Sequence, residues 1–458
     1  MHTDNNYERY RHIHFIGIGG ISMSGLACVL LNKGYKVSGS DPQSGPVTDS
    51  LAAKGARIYK GNLASNLDEV PDAVVYTAAI RPDNPELMRA KELGIPLLTR
   101  AELLGQIMKE YPASIGVSGT HGKTTVTSML SHILINAGTD PTISVGGMLD
   151  KIGGNIRIGG GDIFLTEACE YTNSFLSLFP TMEIILNIEA DHLDFFKDLD
   201  DIRHSFREYV GLLPKNGTLI INNSIRELSD ITGCASCPFI TYGEGGDVCA
   251  VNTSAQDGVY SFDVCAPGRA CDGLHITLSV PGIHNVDNAL AAIAAADALG
   301  VAADVTAASL KEFGGAKRRF QKKGTFNGAQ IVDDYAHHPQ EIAATLAAAS
   351  AVARGRLRVI FQPHTYSRTK LLFDDFVKAL CACDEAVIAK IYPARETDPL
   401  GMSAGLLSSA IAAAGTPSCA FEDFDLLTQY IKDTTRPGDL IMTMGAGDIY
   451  KVGDALLS

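Results

Sequence analysis

No apolar run in the 458 residues is long enough to cross a bilayer, which takes about 20 consecutive apolar residues. Membrane insertion is therefore not expected. The opening stretch, MHTDNNYERYRH, lacks the apolar segment of a secretion signal, so the expected location is cytoplasmic. A long basic run is also missing, and 38 Lys and Arg against 52 Asp and Glu leave a net charge of −14. Nucleic acid is thus not an expected partner, and any phosphate binding has to be local. The ten cysteines follow no ligand pattern. Cys234/Cys237 and Cys381/Cys383 have neither a second pair nor a His at metal spacing. Scattered thiols in a long chain suit a reducing compartment. The length exceeds one ordinary core, and at ~150 residues per domain it points to about three domains.

What is present centres on Ser118 to Thr125, SGTHGKTT. The apolar Ile115–Val117 precedes it, and Val126, Met129, Leu130, Ile133 and Leu134 follow at helical spacing, with Gly138 placed to end the helix. Strand, glycine turn and helix together form an anion cradle. Gly119 and Gly122 let backbone N–H groups turn inward around Thr120 and His121, and the helix N-terminus adds its dipole. Lys123 can reach outer phosphates, Thr124 can bind magnesium through its hydroxyl, and Thr125 continues the turn. The first glycine stands closer to the second than in the common GxxxxGK[ST] pattern.

Nearer the start, Ile13–Ile16 is an apolar strand with His12 and His14 interleaved, followed by GIGGISMSG and a helix ending near Gly34. Tyr35–Ser38 gives a second strand with Asp41 just past its end, as in a Rossmann unit. Gly17, Gly19 and Gly20 would admit a diphosphate, and Asp41 a ribose hydroxyl. Ser22 replaces the third glycine of GxGxxG, so NAD is not favoured over another diphosphate ligand. Asp41 reads equally as a solvated strand-end acid. A strand over Val74–Ala79, a helix from Arg100 and a linker at Tyr111-Pro112 place the first boundary at residues 105–112.

Beyond the phosphate loop, strands alternate with helices, which implies a mostly parallel sheet with ligands at the carboxyl ends of its strands. Ile163–Thr166 runs into Glu167, and Ile184–Leu186 runs into Asn187-Ile-Glu-Ala-Asp191-His192. Thr124, Glu167 and His192 form a candidate magnesium site, with His192 either a ligand or the holder of a metal-bound water. Glu170 and Asp191 stand behind them. Residues 215–280 alternate like antiparallel strands. Asn285 and Asn288 open an Ala-rich helix, where a cap is favoured over an adenine contact. Lys317-Arg318-Arg319-Phe320 is either a phosphoryl-stabilising hinge or a solvated basic turn. Polar clusters then end three more strands: DDYAHHP (Asp333–Pro339), QPHTYSR (Gln362–Arg368) and GAGD (Gly445–Asp448).

The segments HFIGIGGISMSGLA, GSD, GTHGKTT, EACEYTNSFL, NIEADHLD, GIHNVDNALAA, KRRF, DDYAHHPQEI, FQPHTYSRT and MGAGDIY occur in this order and cover nearly the whole chain. Together they resemble the Mur ligase family of ATP-dependent amide-forming enzymes, and HFIGIGG with DDYAHHP and FQPHTYSR points to its alanine-adding branch. The resemblance implies an α/β protein of three domains. These are a Rossmann-like UDP-sugar domain over 1–110, a P-loop-type ATP domain with a mostly parallel sheet over 111–316, and a Rossmann-like amino-acid domain over 317–458. It implies ATP-dependent ligation of L-alanine to UDP-N-acetylmuramate through an acyl phosphate, with Mg2+, in a monomer or homodimer.

Lys123, Glu167, His192, Arg319 and His337 would carry the chemistry. By family position Asn285 and Asn288 would contact adenine, Asp334 the ribose and Arg319 the phosphates. Gly17 to Ser22 and Asp41 would face the UDP part, and Tyr335, His337 and Arg368 the alanine. Two positions depart from the family pattern. Thr365 stands where relatives often have Arg, and Asn62 where they have His. No modified lysine is expected, since His204–Tyr209 offers none. The rivals are a ligase that recycles a tripeptide onto the same sugar nucleotide, an NAD-dependent dehydrogenase and a non-catalytic nucleotide-binding module.

Overall fold

The computed structural model describes residues 7–77, 80–193, 195–394 and 396–458. Met1–Asn6 of the opening stretch, Ala78 and Ala79 of the expected third strand, and Asp194 of NIEADHLD lie outside the described residues. The chain forms two compact units, Met1–Val248 with Ala291–Ala302, and Cys249–Leu290 with Ala303–Ser458.

The first unit carries two sheets. β1 (His12–Ile16), β2 (Lys36–Asp41), β3 (Arg57–Lys60), β4 (Ala73–Tyr76) and β5 (Leu97–Thr99) pair in the order β3-β2-β1-β4-β5, all parallel. This is the Rossmann order 3-2-1-4-5-6 without its sixth strand. Asp41 is the last residue of β2, not a residue beyond it.

The second sheet has β6 (Ala113–Ser118), β7 (Thr142–Leu149), β8 (Gly154–Arg157), β9 (Ile163–Glu167), β10 (Met182–Ile185), β11 (Thr218–Asn222) and β12 (Phe239–Tyr242). Their order is β12-β11-β10-β6-β9-β7-β8, parallel except for β8. β11 and β12 thus correct the antiparallel expectation for residues 215–280. The reason is visible in β11, whose Leu219-Ile220-Ile221 is buried on both faces, as parallel strands are. The antiparallel pattern holds only for the second unit's β13 (Cys249–Gln256), β14 (Val259–Cys265) and β15 (His275–Pro281).

The second unit's larger sheet has β16 (Gln321–Phe326), β17 (Ala329–Asp334), β18 (Leu357–Phe361), β19 (Glu385–Ala389), β20 (Ser418–Phe421) and β21 (Leu440–Met444). Its order is β16-β17-β21-β18-β19-β20, with only β16 antiparallel. The ten cysteines are free thiols, and among the described residues no helix is long and apolar enough to cross a membrane.

The linker at residues 109–112 joins the helix Arg100–Met108 to β6, but packing does not stop there. One buried cluster runs from Ile13, Leu30, Leu103 and Ile107 into Phe164, Phe175 and Phe206. At this junction a Cβ on Gly105 would collide with the carbonyl oxygen of Ser177. In a free helix Gly→Ala stabilises by up to about 1 kcal/mol, whereas overpacking costs about 1–3 kcal/mol. Gly105→Ala is therefore expected to lower the melting temperature. An unchanged or higher value in calorimetry would contradict this packing.

Candidate active site

β6 lies in the middle of its sheet, between β10 and β9, and the glycine loop springs from its carboxyl end. Gly119 (φ +136) and Gly122 (φ +86) adopt backbone conformations that side chains resist, and the helix Lys123–Asn136 begins directly after. The segment after β10 straps the loop down. Asn187 Oδ1 accepts from His121 N at 2.8 Å and Asn187 Nδ2 donates to His121 O at 3.1 Å. Thr120 Oγ1 accepts from Glu189 N at 2.9 Å, and His121 Nε2 lies 3.7 Å from Glu189 Oε2. Fixed N–H groups at a helix N-terminus bind phosphate without further ordering.

Lys123 folds back over this loop. Its Nζ donates to Gly119 O, to Thr120 O at 3.1 Å, and to the two oxygens of Glu170 at 3.1 and 3.0 Å. Burial works against the ammonium, but Glu170, Cys169 and Glu167 outweigh it and hold its pKa above the ordinary value. His192 joins the group, with Nε2 3.8 Å from both Glu170 Oε1 and Asp191 Oδ2 and its ring 4.6 Å from that of Tyr171. Glu167 ends β9 and accepts from Gly146 N at 2.6 Å. A Cβ at Gly146 would come within 2.8 Å of Glu167 Oε2, and one at Gly147 within 3.1 Å of Thr124 Cγ2. The two glycines let β7 pass close to both residues.

Among the described residues no group of three or more His, Cys, Asp or Glu is placed to hold a metal. One hydroxyl and one carboxylate are a donor set that suits magnesium, which keeps most of its ligands as water and phosphate oxygen. Thr125 sits half-buried in the first helical turn.

At the edge of the first sheet, Gly17 turns at φ +79 and its N–H donates to Ser40 O at 2.8 Å; Gly20 N donates to Gly17 O at 3.1 Å. Asp41 accepts from Gly19 N and Gln43 N, each at 3.0 Å, so the carboxylate is tied to the glycine loop and is not a free strand-end acid. Ser22 lies in the first turn of the helix Ile21–Asn32. Sequence reading missed the network beneath. Glu86, fully buried, bonds His14 Nε2 at 3.1 Å and Asn66 Nδ2 at 2.8 Å. Ser40 Oγ lies 2.5 Å from Glu86 Oε2 and 3.1 Å from Asn62 Oδ1. Asn62 thus belongs to this network. The interleaved His12 and His14 were the available signal.

In the second unit Arg318 corrects the solvated-turn reading. Its guanidinium donates to Asp333 Oδ2 at 3.1 Å, Gly447 O at 3.1 Å and Gly445 O at 2.5 Å, between the rings of Tyr335 and Tyr450. Arg319 lies over Tyr335 at 5.3 Å. Asp334 accepts from Phe320 N at 2.7 Å and Ala336 N at 2.8 Å, and burial raises its pKa to about 6 against the pull of Arg319. The rings of Tyr335 and His337 are 5.5 Å apart, and those of His337 and His364 6.1 Å. Arg368 donates to His364 O at 3.1 Å.

Asn285 makes no cap, against expectation. It lies inside the helix His284–Ala298, donates to Pro281 O at 2.7 Å and accepts from Asn288 Nδ2 at 3.0 Å. From the second helical position its oxygen faces that neighbour, not the first amides.

Family models for the Mur ligase catalytic domain, the Mur ligase middle domain and the Mur ligase glutamate ligase domain match residues 12–112, 117–296 and 318–447. The chain belongs to the Mur ligase family. This Mur ligase is 54% identical to the UDP-N-acetylmuramate–L-alanine ligase of Lachnospira eligens, covering 97% of this chain and 98% of that one. It is 48% identical to the enzyme of the same name from Clostridium perfringens, over 98% of each. Among solved structures, the UDP-N-acetylmuramate-alanine ligase of Thermotoga maritima superposes with a TM-score of 0.81 at 29% identity, covering 97% of this chain and 98% of that one. A murein peptide ligase of Psychrobacter arcticus gives 0.71 at 27%, over 98% of each.

Two outcomes follow for this Mur ligase. Lys123→Ala is expected to abolish phosphate release and, by leaving the buried Glu170 unpaired, to lower the melting temperature; near-normal turnover would refute the phosphate role. Asp334, pushed up by burial from the ordinary 3.8 to about 6 in the folded chain, binds protons more tightly when folded. Its contribution to stability is then full below pH ~4 and is lost as pH rises through ~6. Carbon NMR of the labelled carboxyl should show the midpoint near 6, and a midpoint near 4 would overturn the burial argument.

Proposed function

We propose that this Mur ligase joins L-alanine to the lactyl carboxylate of UDP-N-acetylmuramate, with ATP split to ADP and phosphate, as a step of peptidoglycan precursor synthesis in the cytoplasm. One observation carries the reading: the relatives that match along essentially the whole chain, at 48–54% identity, bear the name of that activity. The loop geometry supports it. A carboxylate is a poor electrophile, so its oxygen first attacks the γ-phosphorus and ADP leaves. The alanine amine then attacks the acyl carbon of the acyl phosphate. The tetrahedral adduct collapses with loss of phosphate, and the amine gives up its proton.

Most of the acceleration in such a transfer is placement and charge neutralisation. The N–H groups of Gly119 to Thr125 would cradle the phosphates, and Lys123 would exchange Glu170 for phosphate oxygen. Thr124 and Glu167 would hold a magnesium ion, with His192 beside a second or its water. When bound, the metal neutralises charge on the β- and γ-phosphates. Asn285 and Asn288 are proposed for adenine, Asp334 for the ribose and Arg319 for the phosphates. Gly17, Gly19, Gly20, Ser22 and Asp41 are proposed for the UDP part, and Tyr335, His337 and Arg368 for the alanine. Family membership sets aside the dehydrogenase and the non-catalytic module.

The murein peptide ligases among the structural neighbours favour one second reading, transfer of a whole tripeptide to the same sugar nucleotide. Phosphate release with UDP-N-acetylmuramate and ATP separates the two. Release is expected with L-alanine, and release with the tripeptide alone would replace the first reading with the second.

A further inference from the structure

The second unit contains a cavity of about 550 Å³ whose lining includes Gln362, Tyr366, Tyr392, Met402 and Asp448. These residues follow β18, β19 and β21, so the cavity lies at the carboxyl edge of the sheet, where ligands of such folds collect. One wall is the chain that leaves β19. This wall is tied at two places to the segment that leaves β18. At the first, Tyr392 N donates to Pro363 O at 2.8 Å and the rings of Tyr392 and His364 stack, 5.5 Å apart and 11° from parallel.

The second tie is the carboxylate of Glu396. Thr365 Oγ1 donates to Glu396 Oε1 at 2.6 Å, and Ser367 N donates to Oε2 at 3.0 Å. Ser367 Oγ makes a further close contact with Oε1, and the two hydroxyls lie 3.0 Å apart. Burial works against the ionised carboxylate, but these hydrogen bonds win and hold its pKa below the ordinary value. Hydrogen bonds to a charged acceptor are the strong ones in a protein. The chain beyond Glu396 then continues into the cavity wall through Pro399 and Met402.

Position 365 therefore faces a carboxylate of its own chain. We infer that Thr365, Ser367 and Glu396 form a clamp that positions the cavity wall for the amino-acid substrate, and that the residue at 365 serves Glu396 and not the substrate. The inference rests on the proposed alanine-ligating function. It also accounts for threonine at this place: a hydroxyl meets the demand of Glu396 as a cation would, and no contact to the alanine carboxylate is lost. Arg368, which donates to His364 O at 3.1 Å, and Lys370 remain as cations of this segment.

Steady-state kinetics and hydrogen exchange test the clamp separately. Wild-type enzyme is assayed first, and absence of alanine-dependent phosphate release would sink the functional reading, not the clamp. Thr365→Val is expected to raise KM for L-alanine about tenfold, the loss of one strong hydrogen bond, and Glu396→Ala, which removes the acceptor of all three bonds, at least as much. KM for ATP should move less than about twofold, because the phosphate loop is untouched. Thr365→Ser should behave as wild type, and the double variant should be no worse than the poorer single one.

Without any substrate, the amides of Tyr392, Glu396 and Met402, all hydrogen-bonded to backbone in the wild type, should exchange faster in Thr365→Val. Unchanged exchange at these amides would overturn the clamp. So would additive effects in the double variant, or a Thr365→Arg variant that binds L-alanine about tenfold more tightly.

Discussion

The organisation of the proposed phosphate site depends on one ion pair, the ammonium of Lys123 against the nearly buried carboxylate of Glu170. An unpaired charge at this depth would cost several kcal/mol. The pair keeps the lysine ionised and aimed back over its own loop. The carbonyls of Gly119 and Thr120 hold it from the other side. In the proposed role, a triphosphate entering the loop would find the cation already desolvated and in place, so little reorganisation would remain for the transition state. The phosphate would need only to replace one anion by another.

The surrounding sheet explains why the partners of this lysine come from where they do. β6 has β9 on one side and β10 on the other, and the chain leaves each of the three at the same edge. Glu167 ends β9 and Glu170 follows it; Asn187, Glu189 and His192 follow β10. The glycine pair in β7 completes the arrangement by keeping that strand's bulk away from Thr124 and Glu167. A parallel sheet thus converts three distant stretches into one loop cluster.

This geometry was legible in the sequence because it obeys local rules. Glycines at fixed offsets, a helical stripe after them, and polar residues straight after apolar strands are patterns that one stretch of chain displays by itself. The unread features pair residues across long separations. Glu86 lies in the first turn of the helix Pro85–Glu92, and nothing in its neighbourhood announces His14, 72 positions away. Glu396 sits 31 positions from Thr365 in a turn-rich stretch with no periodicity. Arg318 reads as exposed charge until the strand ends that supply its carbonyl partners are assembled. Glu170 was seen as a supporting acid, yet it is the residue that both Lys123 and His192 approach. Asn285 failed for a different reason, because a shift of one helical position turns a capping oxygen into an internal one.

The buried cluster shared by the first two sheets bears on how this enzyme can be dissected. Leu103, Leu104 and Ile107, on the helix before β6, belong to a cluster that reaches across the linker, and Gly105 is pressed against the backbone at Ser177. A fragment ending at residue 112 would leave that greasy stripe facing water. The module of the first sheet is therefore not an autonomous building block: it borrows part of its floor from the module of the second sheet, and the two are expected to unfold together.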